Sequence, residues 1–184
     1  MNDSAFGDLM VAEISHLRAF AVSLSGSYSL ADDLVQDTLV KAWSHADSFQ
    51  RGTNLRAWLV TILRNTYFSQ YRQRSREVQD TDGALAEQIP VKGGQESKLQ
   101  MNDVQKALDR LAPEHREILL MIGLAQLSYE ETAAICNIAV GTVKSRLNRA
   151  RVKLAENLGL TGTHEIGADP TISGIAARAR REAF

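Results

Sequence analysis

The stretch "LSYEETAAICNIAVGTVKSRLNRARVKL", Leu127 to Leu154, decides how this chain is read. Ser128 and Glu131 fit the S-x-x-E pattern of a capping box, in which two side chains bond each other's backbone amides, so a helix is expected to start there. Asn137 stands at a corner, where its side chain tolerates a left-handed backbone nearly as well as glycine does, and Ala133 is small where one helix should cross the next. Beyond the corner Val143, Leu147, Ala150 and Leu154 recur at helical spacing and form a stripe to be buried. Two short helices joined in this way make a helix-turn-helix.

The second helix carries Lys144, Arg146, Arg149, Arg151 and Lys153 with no acidic residue among them, and its outward positions also include Ser145 and Asn148. Lys and Arg neutralise phosphate, Arg can grip guanine with two bonds, and Asn and Ser bond base edges, so this face suits a DNA major groove. Gly141 and Thr142 are expected to offer backbone amides to a phosphate at the helix start. A solvated basic helix on a bundle is the plainer reading, and it leaves the corner and the spacing without a purpose.

A second basic run lies far upstream. From Arg51 to Arg76 there are six arginines and no acid, and Trp58, Tyr67, Phe68 and Tyr71 are interleaved with them. Flat side chains beside positive charge suit unstacked bases and the backbone of a single strand. Trp58 is read as a core aromatic, whereas Arg64, Asn65 and the loop before Asn54 are read as functional.

These two surfaces contrast with an acidic opening segment, in which Asp3, Asp8, Glu13, Asp32, Asp33, Asp37 and Asp47 outnumber Arg18 and Lys41 as far as Gln50. The net charge of -1 therefore conceals a polar distribution that implies two kinds of partner. A hydrophobic content of 44% is enough for compact cores, and 6% aromatic residues with 3 prolines favour helices over a β-sandwich. The expected class is all-α. No run of about 20 apolar residues is present and the N-terminus lacks the basic start of a signal peptide, so the chain is expected in the cytoplasm and away from membranes. The lone Cys136 is read as a small apolar residue in a helix interface. His16, His45, His115 and His164 are widely spaced and there is no phosphate-binding glycine loop, so neither an enzyme, a metal site nor a cofactor is expected.

Leu17, Phe20, Ala21 and Leu24 predict a first helix, broken by Gly26 to Ser29. "ADDLVQDTLVKAW" predicts a second, with Val35, Leu39, Ala42, Trp43 and Ala46 facing inward. Asn54 should cap a third that turns Leu55, Leu59, Ile62, Leu63 and Thr66 inward as far as about Arg74. Mixed charge, a proline and a glycine pair then mark a linker, after which "LQMNDVQKALDRL" and a helix opened by Pro113, with Glu114 and Glu117 in its first turn, lead to the helix-turn-helix. The expected organisation is a helical domain over 1–76, an acidic flexible linker over 77–98, a helix-turn-helix domain over 99–158 and a tail over 159–184.

With those motifs in view, the chain resembles the bacterial RNA polymerase sigma factors of the extracytoplasmic-function (ECF) type. "ADDLVQDTLVKAW" is similar to their region-two helix that binds core polymerase, "NLRAWLVTILRNTYFSQYR" to the helix that reads and melts the -10 element, and Leu127 to Leu154 to region four, which reads the -35 element. "SFQRGTNLRAWLVTILRNTYFSQYR" and "VGTVKSRLNRAR" are similar to the EcfG-type members that run the general stress response of alphaproteobacteria. Two departures are Asn137, where many members have Gly, and a tail longer than region four requires.

The resemblance implies roles by position. Asp33, Gln36, Asp37 and Lys41 would lie against core polymerase at its β′ clamp, with β as the other contacting subunit. Ser48, Phe49, Gln50, Arg51, Gly52 and Thr53 would pocket a flipped -10 base, and Arg64, Asn65, Phe68 and Ser69 would hold the non-template strand. Thr142, Lys144, Ser145, Arg146, Asn148 and Arg149 would read the -35 promoter DNA. The acidic linker would thread the polymerase channel later used by RNA. A small NepR-type anti-sigma factor, released by a PhyR-type response regulator, would inhibit a chain that is monomeric when free. Two rival readings are an autonomous helix-turn-helix regulator and a helical adaptor with charged faces; the regulator leaves the basic aromatic segment without a purpose.

Overall fold

The computed structural model describes residues 3–80 and 103–159, and their side chains over 5–73 and 103–159. Helix α1 (Asp3–Ser25) buries Leu17, Phe20, Ala21 and Leu24 and ends at Gly26, whose φ of 72° takes the left-handed conformation glycine allows. Ser27 then caps α2 (Tyr28–Ser44), its hydroxyl accepting from the Leu30 N–H.

Helix α2 is gripped by α1 on one side and by α3 (Leu55–Asp80) on the other. Its buried stripe is Ala31, Leu34, Val35, Thr38 and Ala42. This corrects the expected inward face, because Trp43 is 51% exposed and Leu39 only partly covered. A helix held between two neighbours buries a wider arc, centred on Leu34 and Thr38. Thr38 can lie there because its hydroxyl donates to the Leu34 carbonyl at 2.6 Å.

A short 3-10 turn (Ala46–Ser48) leads to Asn54, whose side-chain oxygen accepts from the Ala57 N–H at 3.3 Å and caps α3 as expected. Leu59, Val60, Leu63 and Thr66 are buried, while Leu55 and Ile62 are partly so. The helix runs to Asp80, into the segment expected as linker, since no glycine or proline interrupts it before Gly83. The remainder of that linker and the tail beyond Gly159 lie outside the described residues.

The second half begins with α4 (103–109), followed by α5 (Pro113–Gly123), α6 (Tyr129–Cys136) and α7 (Val140–Leu158). Asn157 of α7 donates to the Ala107 carbonyl at 2.9 Å and so ties the last helix to α4. Both halves of the capping box are present: the Glu131 N–H reaches Ser128 Oγ at 3.0 Å, and the Ser128 N–H reaches Glu131 Oε2 at 2.8 Å. Asn137 has φ 53° and ψ 50°, the left-handed corner read from the sequence. Val143, Leu147, Ala150 and Leu154 form the buried stripe of α7 as their spacing predicted.

The halves are in contact, α1 against α5 and α3 against α6, and their buried residues form one continuous core. No described helix is long and apolar enough to cross a membrane.

Burial pushes the Glu131 carboxyl up, but the Ser128 N–H, the Asn54 amide and the Ser128 hydroxyl outweigh it and hold the group below its ordinary value of 4.5. Its stabilising contribution is therefore complete above the unfolded value and is lost as pH falls through the lower folded one. Glu131→Gln keeps a side-chain acceptor without the titration, so its Tm should fall less than that of the parent between about pH 5 and about pH 3. Circular-dichroism melts across that window check this, and parallel Tm profiles in the two proteins would refute it.

Candidate nucleic-acid interface

The stripe that α7 buries fixes which side chains it can present. Lys144, Ser145, Asn148 and Arg149 are exposed on the opposite side, with Thr142 and Arg146 partly covered at its margin. The structure thus brings together all six residues expected to read a duplex. Ser145 Oγ donates to the Thr142 carbonyl at 3.0 Å, and the Lys144 ammonium lies 5.8 Å from the centre of the Tyr129 ring. Tyr129 opens α6, so the capping box that fixes this helix start also fixes the ring beside the basic face. One expectation needs correction. The Thr142 N–H is taken by the Ala139 carbonyl at 2.9 Å in a tight first turn, so it is not available to a phosphate. At the other end of the helix Lys153 pairs with Glu156 at 2.9 Å.

On α3, Arg64, Asn65, Phe68 and Ser69 fall within two turns, with Asn65 and Ser69 exposed. The Arg64 guanidinium lies over the Phe68 ring, 5.1 Å from its centre, and Tyr67 stands edge-on to Phe68 at 5.3 Å. Tyr71, 6.3 Å from Tyr67, extends the row and is exposed. This is the mixture of charge and flat faces that single strands require.

The loop before α3 is held by its own hydroxyls, Ser48 Oγ donating to the His45 carbonyl at 2.7 Å and Thr53 Oγ1 to the Gln50 carbonyl at 2.6 Å. Gly52 has φ 87°. Ser48, Gln50, Arg51, Gly52 and Thr53 are exposed, but Phe49 points the other way, its ring 5.3 Å from Trp58 and 5.9 Å from Phe6. Phe49 therefore anchors the loop, and Trp58 belongs to the core as the sequence reading preferred.

Asp33, Gln36, Asp37 and Lys41 are exposed on one side of α2, with exposed Val40 among them. Asp37 accepts from Gln70 at 3.1 Å and Lys41 donates to Thr66 at 2.9 Å, so two of the four also fasten α2 to α3.

Three residues carry more than the sequence reading gave them. Arg56 pairs with Glu13 of α1 at 2.6 Å and reaches the Gln126 side chain at 3.2 Å, so it is committed within the protein. Asn54, besides capping α3, donates to Glu131 at 2.7 Å. Glu117, expected in the first turn of α5, lies a turn further on, is 8% exposed and receives the Arg64 Nε–H. A signal was present: Glu117 falls one turn before Met121 on the apolar side of "EILLMI", where a carboxylate needs a cation. Burial first, and the Glu117 carboxylate second, push the Cys136 thiol up to about 11, which fits the packing role read for it. Among the described residues no cluster of His, Cys, Asp or Glu is arranged to hold a metal ion.

Residues 9–77 match the family model described as Sigma-70 region 2, and residues 101–154 the one described as Sigma-70, region 4. The chain is 48% identical over 175 residues to the ECF RNA polymerase sigma factor EcfG of Rhodopseudomonas palustris strain TIE-1, covering 95% of this chain and 96% of the relative. Among solved structures it is similar to the sigma factor RpoE of Bartonella quintana in complex with the anti-sigma factor NepR, with TM-score 0.79 and 48% identity over 86% of this chain and 99% of that one. CnrH in complex with the cytosolic domain of CnrY gives TM-score 0.64 and 29% identity over 86% and 90%. With both regions matched and a relative 48% identical over nearly the whole of both chains, the chain belongs to the ECF family of RNA polymerase sigma factors.

Proposed function

We propose that this sigma factor binds core RNA polymerase through the exposed stripe of α2, opens the -10 element with α3 and its preceding loop, and reads the -35 duplex with α7. The observation that carries the reading is the presence on one chain of three surfaces of different chemistry. The α2 stripe is acidic and polar, α3 mixes arginine with aromatic rings, and α7 is basic without an acid until Glu156. Two small DNA-reading units need little affinity alone when polymerase presents them together, because the second contact is made at high effective concentration. An autonomous regulator has no use for Arg64 stacked on Phe68 beside exposed Asn65, and for that reason is not favoured.

The general stress response is the proposed setting, supported by the EcfG relative at 48% identity. A NepR-type anti-sigma factor is the proposed inhibitor, supported by likeness to a sigma factor solved with NepR. A PhyR-type response regulator would then remove it. The proposed division of labour is 1–76 for core binding and -10 melting and 99–158 for -35 recognition, with the segment between as a tether inside polymerase.

Reversing one charge tests the polymerase surface. Asp33 is the cleaner site, since Asp37 also holds Gln70. Asp33→Lys should reduce co-purification with core polymerase while the helical circular-dichroism signal stays unchanged; undiminished co-purification would move the interface elsewhere.

On α7, Arg149→Ala should cost about 1 to 3 kcal/mol at one preferred base pair and relax selectivity there. Binding to a panel of single-base -35 variants measures it, and an equal loss on every sequence would reassign Arg149 to phosphate.

Replacing Asn65 and Arg51 by Ala should leave polymerase assembly and -35 binding intact but block promoter opening, because extruding bases costs a few kcal/mol each without a site to receive them. Permanganate reactivity of unpaired thymines reports the bubble. A promoter already unpaired across the -10 region should recover part of the transcription, whereas a normal bubble on duplex promoter would sink the assignment.

A further inference from the structure

Arg64 is given to single-stranded DNA in the function proposed above, yet its Nε–H is donated to Glu117 of α5. Among the described residues Glu117 is the one carboxylate that is buried, and its cation comes from the other half of the chain. The pair does not stand alone. Between the same two halves Asn54 donates to Glu131 at 2.7 Å, and Arg56 donates to the Gln126 side chain at 3.2 Å. Every donor in this set lies on α3 or at its cap, and every acceptor comes from the second half. From α1, the Ser23 carbonyl in turn accepts from Arg116 Nε at 3.1 Å.

A guanidinium has a fixed fork of donors, and the edge that grips a carboxylate is not free for a phosphate or a base. The face of Arg64 is likewise occupied, because Phe68 lies beneath it. A pair as little exposed as this one gains much of its attraction back as hydration when its members separate, so it holds the halves together without making their opening prohibitive. That balance suits an internal contact that a ligand must displace.

We propose that Glu117 is an internal competitor for the single strand: in the free chain it occupies Arg64 while α3 contacts α6 and α1 contacts α5, and the -10 surface becomes available only when the halves separate. This deepens the -10 reading and rests on it. Apparent affinity for a single strand is then the affinity of the open form reduced by the fraction of chains that are open. Removing the carboxylate raises that fraction without touching the strand-binding residues.

The test uses the full chain and a short fluorescein-labelled single-stranded DNA of mixed sequence, with fluorescence anisotropy as the readout. Glu117→Gln keeps the size and loses the charge, and should bind about 10-fold tighter if closed chains outnumber open ones by about that factor. Unchanged affinity in a folded Glu117→Gln protein overturns the proposal. Arg64→Ala should weaken binding; if it does not, the -10 assignment of Arg64 fails, and with it the meaning of the competition. Small-angle X-ray scattering reads the contact independently of DNA, on variants whose helical circular-dichroism signal matches the parent's. Glu117→Arg should enlarge the radius of gyration, and Arg64→Glu combined with Glu117→Arg should restore the compact value. A double variant as expanded as Glu117→Arg alone would show that this pair does not hold the halves together.

Discussion

Helix α3 has to be core on one side and arginine-bearing on the other, and most of the molecule follows from that constraint. Leu59, Val60, Leu63 and Thr66 are buried in the packing of α3 against α1 and α2, which fixes the rotation of the helix about its axis. Once that is fixed, Arg64, Asn65, Phe68 and Ser69 must emerge together, and Arg56 must meet Glu13. Any other rotation would bury a guanidinium without a partner or expose leucine to water, each at a cost of more than about 1 kcal/mol.

The second half is governed by its corner. Asn137 in the left-handed conformation turns the chain sharply enough for α6 to lie across α7, with buried Ala133 allowing close approach. The capping box at Ser128 sets where α6 begins and therefore where Tyr129 stands beside Lys144. The basic face of α7 is in this way oriented by two local backbone devices and one apolar stripe.

The same chemistry serves the inside and the outside of this protein. Arginine suits phosphate and base edges because it offers several donors with little hydration, and for the same reason it suits carboxylates on a neighbouring helix. Arg56 and Arg64 both follow the second course in this structure. An arginine-bearing surface is thus one that the chain's own acids can cover.

Periodicity and capping alone determined the helical class, the helix-turn-helix and its buried stripe, because those depend on residues within a few positions of one another. Val143, Leu147, Ala150 and Leu154 needed no partner to be recognised, and Ser128 and Asn137 announce their backbone roles by residue type. On α3, Arg64, Asn65 and Phe68 stood out through the mixture of arginines with aromatic rings, whereas Ser69 was named by the family resemblance alone. The inward face of α2 was misjudged at Trp43 because the arc a helix buries depends on how many neighbours grip it, which no local pattern states. Only the tertiary structure decided that Phe49 anchors its loop, that Thr142 spends its amide on Ala139, and that Arg64 meets Glu117 across 53 positions of sequence. Those pairings are set by distances between separately formed helices, and a sequence encodes such distances only through the packing of the whole.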